Sequence, residues 1–246
     1  MPVMYLHAVG LDAGQWRLGA VDGPGPLLVD LPGHGAAPVR RPLSFAALAN
    51  DLAGQLAERA EGPADVVGVS LGGMTALHLA LLHPGAVRSL VIACAPAATA
   101  GDVLLERAER CRRTGMAELA EETLERWFLP AELADPAHPG VRYARGTLLS
   151  ADAGVHADYW TMMAGHDVRD QLSSLTVPVT VIGGADDRSV SPDQARALAA
   201  GIACSRLELL PGPHLLPLSA PKAFRDAVGR HVRAVRGLGS GDDFGS

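Results

Sequence analysis

The fold of this chain is decided by the stretch Val66-Val67-Gly68-Val69-Ser70-Leu71-Gly72-Gly73-Met74. Apolar, mostly β-branched residues run into a G-x-S-x-G pattern, and a helix-forming run from Thr75 to His83 follows directly. This is the strand, tight turn and helix context in which G-x-S-x-G forms a nucleophile elbow. Glycine has no Cβ atom, so it lets the strand and the helix pass very close to each other. The pattern therefore predicts Ser70 as a nucleophile projected from a strained turn.

The same pentapeptide has a simpler interpretation, an ordinary Gly-rich turn between a strand and a helix. The context favours catalysis, because a helix that begins directly after Ser70 points its free N–H groups and its positive dipole end at that serine. An oxyanion hole needs two such backbone N–H groups. We expect one from Leu71 and the other from the loop after the first strand, where Val9 is the best candidate. His7 and Trp16 are expected to brace this loop.

A serine nucleophile needs a base, and the base needs a residue that orients it. Where a nucleophile elbow is used, the chain order is Ser, then Asp or Glu, then His. Asp187 follows a predicted strand at residues 177–182, and His214 follows another at residues 206–210. The carboxyl ends of parallel strands meet at one edge of a sheet, where such folds place their sites. Ser70, Asp187 and His214 are therefore the predicted catalytic residues.

Two alternatives concern the acid and the base. Asp186 competes with Asp187, but Gly184-Ala185-Asp186-Asp187 followed by Pro192 resembles a G-x-x-D…P turn, which favours Asp187. Asp186 is then a solvated or turn-capping residue. For His214 the alternative is a loop histidine packed between prolines, and its position after a strand favours catalysis.

Strand and helix patterns alternate along most of the chain, which predicts a parallel sheet covered on both faces. Short apolar runs predict strands at residues 3–6, 27–29, 66–69, 89–94, 177–182 and 206–210. From about Gly101 to Gly165 only helical patterns occur, which predicts a cap that lies over the sheet. The predicted organisation is a doubly wound, mostly parallel α/β core of residues 1–100 and 166–236, a helical cap of residues 101–165, and a disordered tail of residues 237–246.

Composition excludes several classes of protein. A net charge of −6 and the lack of a Lys/Arg-rich block argue against a nucleic-acid binder. The three cysteines, Cys94, Cys111 and Cys204, are odd in number and lack a C-x-x-C pair, which favours reduced thiols and a cytoplasmic location. The apolar run at residues 3–9 is too short for a signal peptide or a membrane span. With neither H-E-x-x-H nor a Cys/His cluster, the sequence predicts no metal or other cofactor, and a small molecule as partner.

These features together resemble the α/β-hydrolase superfamily across nearly the whole chain. The matching elements are Leu6-His7-Ala8…Trp16, Asp30-Leu31-Pro32-Gly33-His34-Gly35, Gly68-Val69-Ser70-Leu71-Gly72-Gly73-Met74, Gly184…Asp187…Pro192 and Pro213-His214. The resemblance implies the α/β-hydrolase fold with an inserted cap. The family's usual N-terminal strand pair is expected to be missing, because the first predicted strand comes almost at residue 1.

The cap is most similar to that of 3-oxoadipate enol-lactone hydrolases. The similar stretches are Glu125-Arg126-Trp127-Phe128 and His166-Asp167-Val168-Arg169-Asp170-Gln171-Leu172. In that family the Arg-Trp pair contacts the substrate, so the resemblance implies that Arg126 and Trp127 bind it. A guanidinium holds a carboxylate bidentately, and an indole makes an apolar wall. The alternative is a helix-surface arginine and a core tryptophan.

The resulting functional hypothesis is a serine hydrolase that cleaves a small ester or lactone, for instance an enol-lactone, through an acyl-serine intermediate. The same fold and triad also serve C–C hydrolysis, lyase, thioesterase and cyclase chemistry in biosynthesis, which these residues do not distinguish. A binding protein that keeps only the shell of a hydrolase is a further alternative. The intact order of Ser, Asp and His argues against it.

Overall fold

A six-stranded sheet lies at the centre of the computed structural model, which describes residues 2–18, 21, 25–59 and 62–237. Its strands are β1 (Val3–Leu6), β2 (Leu27–Val29), β3 (Ala64–Val69), β4 (Val87–Ala93), β5 (Val179–Gly184) and β6 (Ser205–Leu210). They lie in the order β2-β1-β3-β4-β5-β6, and all five pairings are parallel. The predicted parallel α/β sheet is confirmed, with strand bounds that differ from the expected ones by a few residues.

The strand order creates a crevice at one edge of the sheet. From β1 the chain turns to β2 on one side, and from β3 onward it proceeds through β4, β5 and β6 on the other. Every residue of β3 and β5 is buried, as expected for central strands of a parallel sheet that is covered on both faces. Ligands of such sheets bind outside the carboxyl ends of the strands, where the order reverses. In this chain that point lies between the ends of β1 and β3.

Helices occupy most of the remaining chain. They are α1 (Gly14–Arg17), α2 (Phe45–Arg59), α3 (Leu71–Leu82), α4 (Gly101–Thr114), α5 (Met116–Trp127), α6 (Pro130–Ala134), α7 (Pro139–Ser150), α8 (Ala153–Ala164), α9 (Pro192–Ala200), α10 (Leu216–Ser219) and α11 (Pro221–Gly237), with short 3₁₀ helices at Pro84–Ala86 and Arg169–Ser174. None of the described helices combines the length and the apolar character that crossing a membrane requires.

Five of these helices, α4 to α8, follow one another between β4 and β5, and we call them the helical insertion (residues 101–164). Within it α4 packs against α8 and α5 against α7. The helix α11 continues through Gly237, so the predicted tail was placed one residue too early. Backbone hydrogen bonding carries a helix past its last packed side chain, and glycine is a common residue at such an end. The rest of that tail, residues 238–246, lies outside the described residues.

The elbow is built on backbone-to-backbone contact between β1, β3 and α3. A Cβ atom on Gly68 would lie 2.2 Å from the carbonyl oxygen of Gly72. A Cβ atom on Gly72 would lie 2.1 Å from the carbonyl oxygen of Leu6. Between these two glycines Ser70 has a φ of 54°, in the left-handed region that L-residues rarely adopt. The glycines of G-x-S-x-G are therefore a steric requirement of this turn.

Several buried or half-buried histidines are neutral side chains in the fold. Burial lowers the pKa of His78, His156 and His231 to about 4. The Nδ1 atom of His231 lies 2.8 Å from the hydroxyl oxygen of Thr180 on β5, which ties α11 to the sheet. Protonating such a ring in the folded state costs free energy, because the charge would lose its hydration.

We predict that substitution of Gly68 by alanine prevents folding or lowers the free energy of unfolding by roughly 4 kcal/mol or more, because the new Cβ atom would overlap backbone that cannot move aside. Urea unfolding measures the change. Gly54→Ala is the matched control, since no atom lies within 4 Å of its Cβ position on α2. That variant should be more stable than wild type by about 0.5–1 kcal/mol. A Gly68→Ala protein of normal stability would contradict the steric account.

We also predict that the free energy of unfolding falls as the pH is lowered from about 6.5 to about 4. In this window the unfolded chain binds protons at the buried histidines while the folded protein does not, so acid favours unfolding. His231→Gln, which keeps a polar partner for Thr180, should make the decline shallower by up to about 1.4 kcal/mol per pH unit. Urea unfolding at a series of pH values tests this. An unchanged slope would mean that His231 is charged in the folded protein.

Candidate active site

An imidazole and a carboxylate meet where the loops after β5 and β6 come together. The Nδ1 atom of His214 lies 2.8 Å from Oδ2 of Asp187, and their side chains are 2% and 0% exposed. With Asp187 ionised, the shared proton resides on Nδ1, which leaves Nε2 of His214 as a hydrogen-bond acceptor. The pair can therefore accept a proton at one defined nitrogen.

Asp187 is held by two backbone donors in addition to His214. Its Oδ1 atom accepts the backbone N–H groups of Ser189 (2.7 Å) and Val190 (2.9 Å). The thiol of Cys94, which directly follows β4, lies beside the same carboxylate. Burial and the Asp187 charge raise the pKa of this thiol well above its ordinary value, so Cys94 stays a neutral thiol. The thiol sulfur, a carboxylate oxygen of Asp187 and a ring nitrogen of His214 all lie within 4.8 Å of one another.

Asp186 has a different environment from Asp187. Its backbone N–H donates to the carbonyl of Gly212 (3.0 Å), and its Oδ2 atom accepts the Gly212 N–H (3.2 Å). These two bonds fasten the β5 turn to the loop that carries His214. The structure therefore gives Asp186 a role in the turn and brings Asp187 to the histidine.

Ser70 follows β3 directly and is 5% exposed. Its backbone is fixed on both sides, since its N–H donates to the carbonyl of Ala93 (2.9 Å) and its own carbonyl accepts the N–H of Met74 (3.0 Å). Ser70 and His214 line one cavity of about 170 Å³. This volume is small compared with the ~300–1,000 Å³ of typical ligand pockets, which indicates a small substrate.

The loop after β1 presents one unpaired amide to this cavity. Among the described residues, the N–H groups of Ala8, Gly10 and Leu11 all donate hydrogen bonds within the protein, whereas the N–H of Val9 has no acceptor. Val9 also lines the cavity with Ser70. The Leu71 N–H, in the first turn of α3, likewise has no acceptor within the described part of the chain. Both predicted donors are thus free to bind an external oxygen.

Buried side chains hold this loop in place. The Nδ1 atom of His7 lies 2.8 Å from the carbonyl of Ala8, and its Nε2 accepts the backbone N–H of Leu31 (3.0 Å). Gln15 accepts the Ala8 N–H through Oε1 (3.1 Å), and His34 accepts the Gly10 N–H through Nε2 (3.0 Å). Burial lowers the pKa of both histidines, so each remains a neutral acceptor. The amides that flank Val9 are therefore occupied by fixed partners.

The helical insertion forms the other wall of the cavity. Arg126 and Trp127, at the end of α5, both line it together with Ser70 and His214. The Trp127 ring stacks near the His214 ring at a centroid distance of 6.4 Å, and the Trp127 carbonyl accepts the N–H of Leu215 (3.3 Å). The insertion thus contacts the loop that carries the imidazole.

The motifs did not identify several residues at this site. The sequence around Cys94 indicates only a reduced thiol, and it contains no pattern that predicts a position beside Asp187. Gln15 and His34 act on backbone amides, which leave no side-chain pattern in the sequence. Arg107 and Trp160 line the cavity from α4 and α8. Helical periodicity predicts which face of a helix is buried. It does not predict that this face lies opposite Ser70, which depends on how the helices pack.

Comparisons with known proteins give a family model and several relatives. A family model described as the alpha/beta hydrolase family matches residues 3–227. The chain is 31% identical to 3-oxoadipate enol-lactonase 2 of Acinetobacter baylyi over 81% of this chain and 75% of the relative. It is 30% identical to a pimeloyl-(acyl-carrier protein) methyl ester esterase of Edwardsiella ictaluri over 92% and 91%. The crystal structure of an enol-lactonase from Burkholderia xenovorans superposes with a TM-score of 0.87 at 25% identity, over 94% of this chain and 90% of that one.

We predict that Asp187→Asn lowers kcat by roughly 10⁴-fold, because an amide would favour the wrong tautomer of His214. Asp186→Asn is the matched control, since its remaining carbonyl oxygen can still accept the Gly212 N–H. That variant should keep most of its activity. Hydrolysis of 4-nitrophenyl acetate by both variants measures the effect. Equal losses in the two variants would contradict the assignment of Asp187 as the orienting acid.

Proposed function

Because this chain belongs to the alpha/beta hydrolase family, we propose that it cleaves a small ester or lactone with Ser70 as a covalent nucleophile. At the family level the chain is an ester-cleaving hydrolase. One observation carries the more specific proposal. His214, which is buried and hydrogen-bonded to Asp187, lines the same cavity as Ser70, whose backbone is held at positive φ.

Acylation begins with transfer of the Ser70 hydroxyl proton to Nε2 of His214 as the oxygen attacks the substrate carbonyl carbon. The carbonyl oxygen becomes an oxyanion, which accepts hydrogen bonds from the Val9 and Leu71 N–H groups. Asp187 stabilises the imidazolium that forms. Collapse of the tetrahedral intermediate breaks the carbon–oxygen bond of the leaving group, and His214 returns the proton to the leaving oxygen. In a lactone the leaving alcohol stays attached to the acyl chain.

Deacylation repeats these steps with water. His214 takes a proton from a water molecule, which attacks the acyl-serine carbonyl, and the same two N–H groups bind the second oxyanion. His214 then protonates the Ser70 oxygen as the acyl bond breaks, which releases a carboxylic acid. Removing one oxyanion donor typically costs about 3–4 kcal/mol of barrier. Binding of the oxyanion therefore gives a function to the unpaired N–H groups of Val9 and Leu71.

An enol-lactone is the substrate class that the similarities favour. Two relatives with wide coverage are named enol-lactonases, one from sequence and one from structure. Arg126 would bind a substrate carboxylate, and Trp127 would provide an apolar wall beside His214. In this proposal the helical insertion acts as the cap that selects the substrate, while the sheet edge supplies the chemistry.

Methyl ester cleavage is the second candidate. A relative that covers nine-tenths of both chains is named a methyl ester esterase of an acyl-carrier protein. Hydrolysis of a methyl ester needs the same nucleophile and oxyanion donors, so only the cap would differ in what it recognises. We retain a cytoplasmic location in the proposal, because all three cysteines are free thiols.

We predict that Ser70→Ala abolishes covalent labelling by a fluorophosphonate and lowers ester turnover by at least roughly 10⁴-fold, since the acyl-enzyme can no longer form. Ser150→Ala, at the exposed end of α7, is the matched control and should label normally. Mass spectrometry locates the label, and a panel of γ-lactones, methyl esters and 4-nitrophenyl acetate ranks the substrates. Substantial turnover by Ser70→Ala would rule out the covalent mechanism.

A further inference from the structure

We propose that Arg107 is a second substrate-binding residue, and that it selects substrates whose carboxylate binds between Arg107 and Arg126. The inference rests on the proposed function and specifies its substrate class. No sequence motif singles out Arg107, which lies in the middle of α4. Its position in the folded chain supports the assignment.

Arg107 lies on the wall of the cavity that Ser70 and His214 also line. Its guanidinium carbon is 5.4 Å from the centre of the Trp160 ring on α8. A cation held at an aromatic face loses side-chain freedom, and the planar fork of a guanidinium can bind a carboxylate bidentately.

The ion pairs of the insertion leave Arg107 without an acidic partner. Within the described residues, no carboxylate oxygen comes within 4.0 Å of its guanidinium. The charge of Glu122 attracts Arg107, but its Oε1 atom pairs with Arg126 (2.7 Å) and its Oε2 atom pairs with Arg110. Both oxygens of Glu122 are thus occupied by other arginines. The cavity wall therefore carries more positive than negative charge.

This arrangement has an energetic cost in the free protein. Burial lowers the pKa of Arg107, and the positive charge of Arg126 lowers it further. A guanidinium remains charged in proteins, so the repulsion persists instead of being removed by deprotonation. An anion placed between the two groups would relieve it and would accept charge-assisted hydrogen bonds from both. The cavity binds the substrate in every turnover, so we take this anion to be a carboxylate group of the substrate.

A packing role for Arg107 is the competing explanation. Stacking on Trp160 could stabilise the contact between α4 and α8 without any role in recognition. The two explanations differ in one measurable respect. Packing affects all substrates alike, whereas recognition affects only those that carry the negative charge.

The test compares monomethyl glutarate with methyl pentanoate, two methyl esters of equal chain length of which only the first carries a carboxylate. Initial rates at neutral pH, followed by proton release, give kcat/KM for each ester with the full-length protein. Wild type should prefer the anionic ester. Arg107→Gln should lower the ratio of the two kcat/KM values by about tenfold or more, chiefly through KM for the anionic ester. Arg107→Lys should keep part of the preference, since it retains charge but loses the planar fork.

Arg113→Gln is the matched control, because it removes the same charge from an exposed position on the same helix. It should leave the ratio unchanged. Equal losses on both esters in Arg107→Gln, or no preference in wild type, would overturn the inference. If neither ester is turned over, calorimetric titration decides: glutarate should bind more tightly than its neutral diamide, and Arg107→Gln should abolish the difference. Absence of that difference in wild type also overturns it.

Failure of the proposed function has a separate signature. If a fluorophosphonate does not label Ser70, the covalent mechanism is wrong. This conclusion does not depend on the ratio of the kcat/KM values for the two esters. Labelled Ser70 and active ester turnover without any carboxylate preference would remove only the role of Arg107. Thermal unfolding of the Arg107 variants shows whether they retain the fold, so that a loss of binding is not mistaken for a loss of structure.

Discussion

The close approach of α3 to the ends of β1 and β3 is the constraint on which the rest of this structure depends. Gly68 and Gly72 bring backbone against backbone at distances that leave no room for a Cβ atom. This contact holds Ser70 at positive φ and begins a helix at the next residue. The Leu71 amide consequently lies in the first turn of that helix, where no intrahelical acceptor exists. The positions of Ser70, the proposed nucleophile, and of the Leu71 amide, a proposed oxyanion donor, therefore both follow from the packing of α3 against β1 and β3.

The Val9 side of the proposed oxyanion site is held by contacts from distant parts of the chain. His7 links the end of β1 to Leu31, and His34 binds the amide after Val9. The insertion reaches the same region, because the Tyr159 hydroxyl donates to the carbonyl of Pro32 (2.8 Å). These contacts are buried, so the loop cannot exchange its partners for water without cost. The insertion thus contributes to the rigidity of this region as well as to the wall of the cavity.

In our proposal the sheet and the helical insertion have separate roles, the sheet in the chemistry and the insertion in substrate selection. The carboxyl ends of β3, β5 and β6 lead into the loops that carry Ser70, Asp187 and His214. The insertion contributes cationic and aromatic side chains to the same cavity. Altering the insertion can therefore change the substrate without disturbing the elbow. This division explains how relatives with the same fold are named for lactones and for methyl esters.

Local sequence determined the parallel sheet, the elbow and the order of Ser70, Asp187 and His214, because strand periodicity, steric limits at glycine and chain order are properties of short segments. The separate role of Asp186, the thiol of Cys94 beside Asp187 and the unpaired charge of Arg107 were decided only by tertiary structure. Each depends on which atoms from distant segments occupy a hydrogen-bonding or ion-pairing position. Glu122 is taken by Arg110 and Arg126 through the packing of α4 on α5, and no local pattern in the chain records that competition.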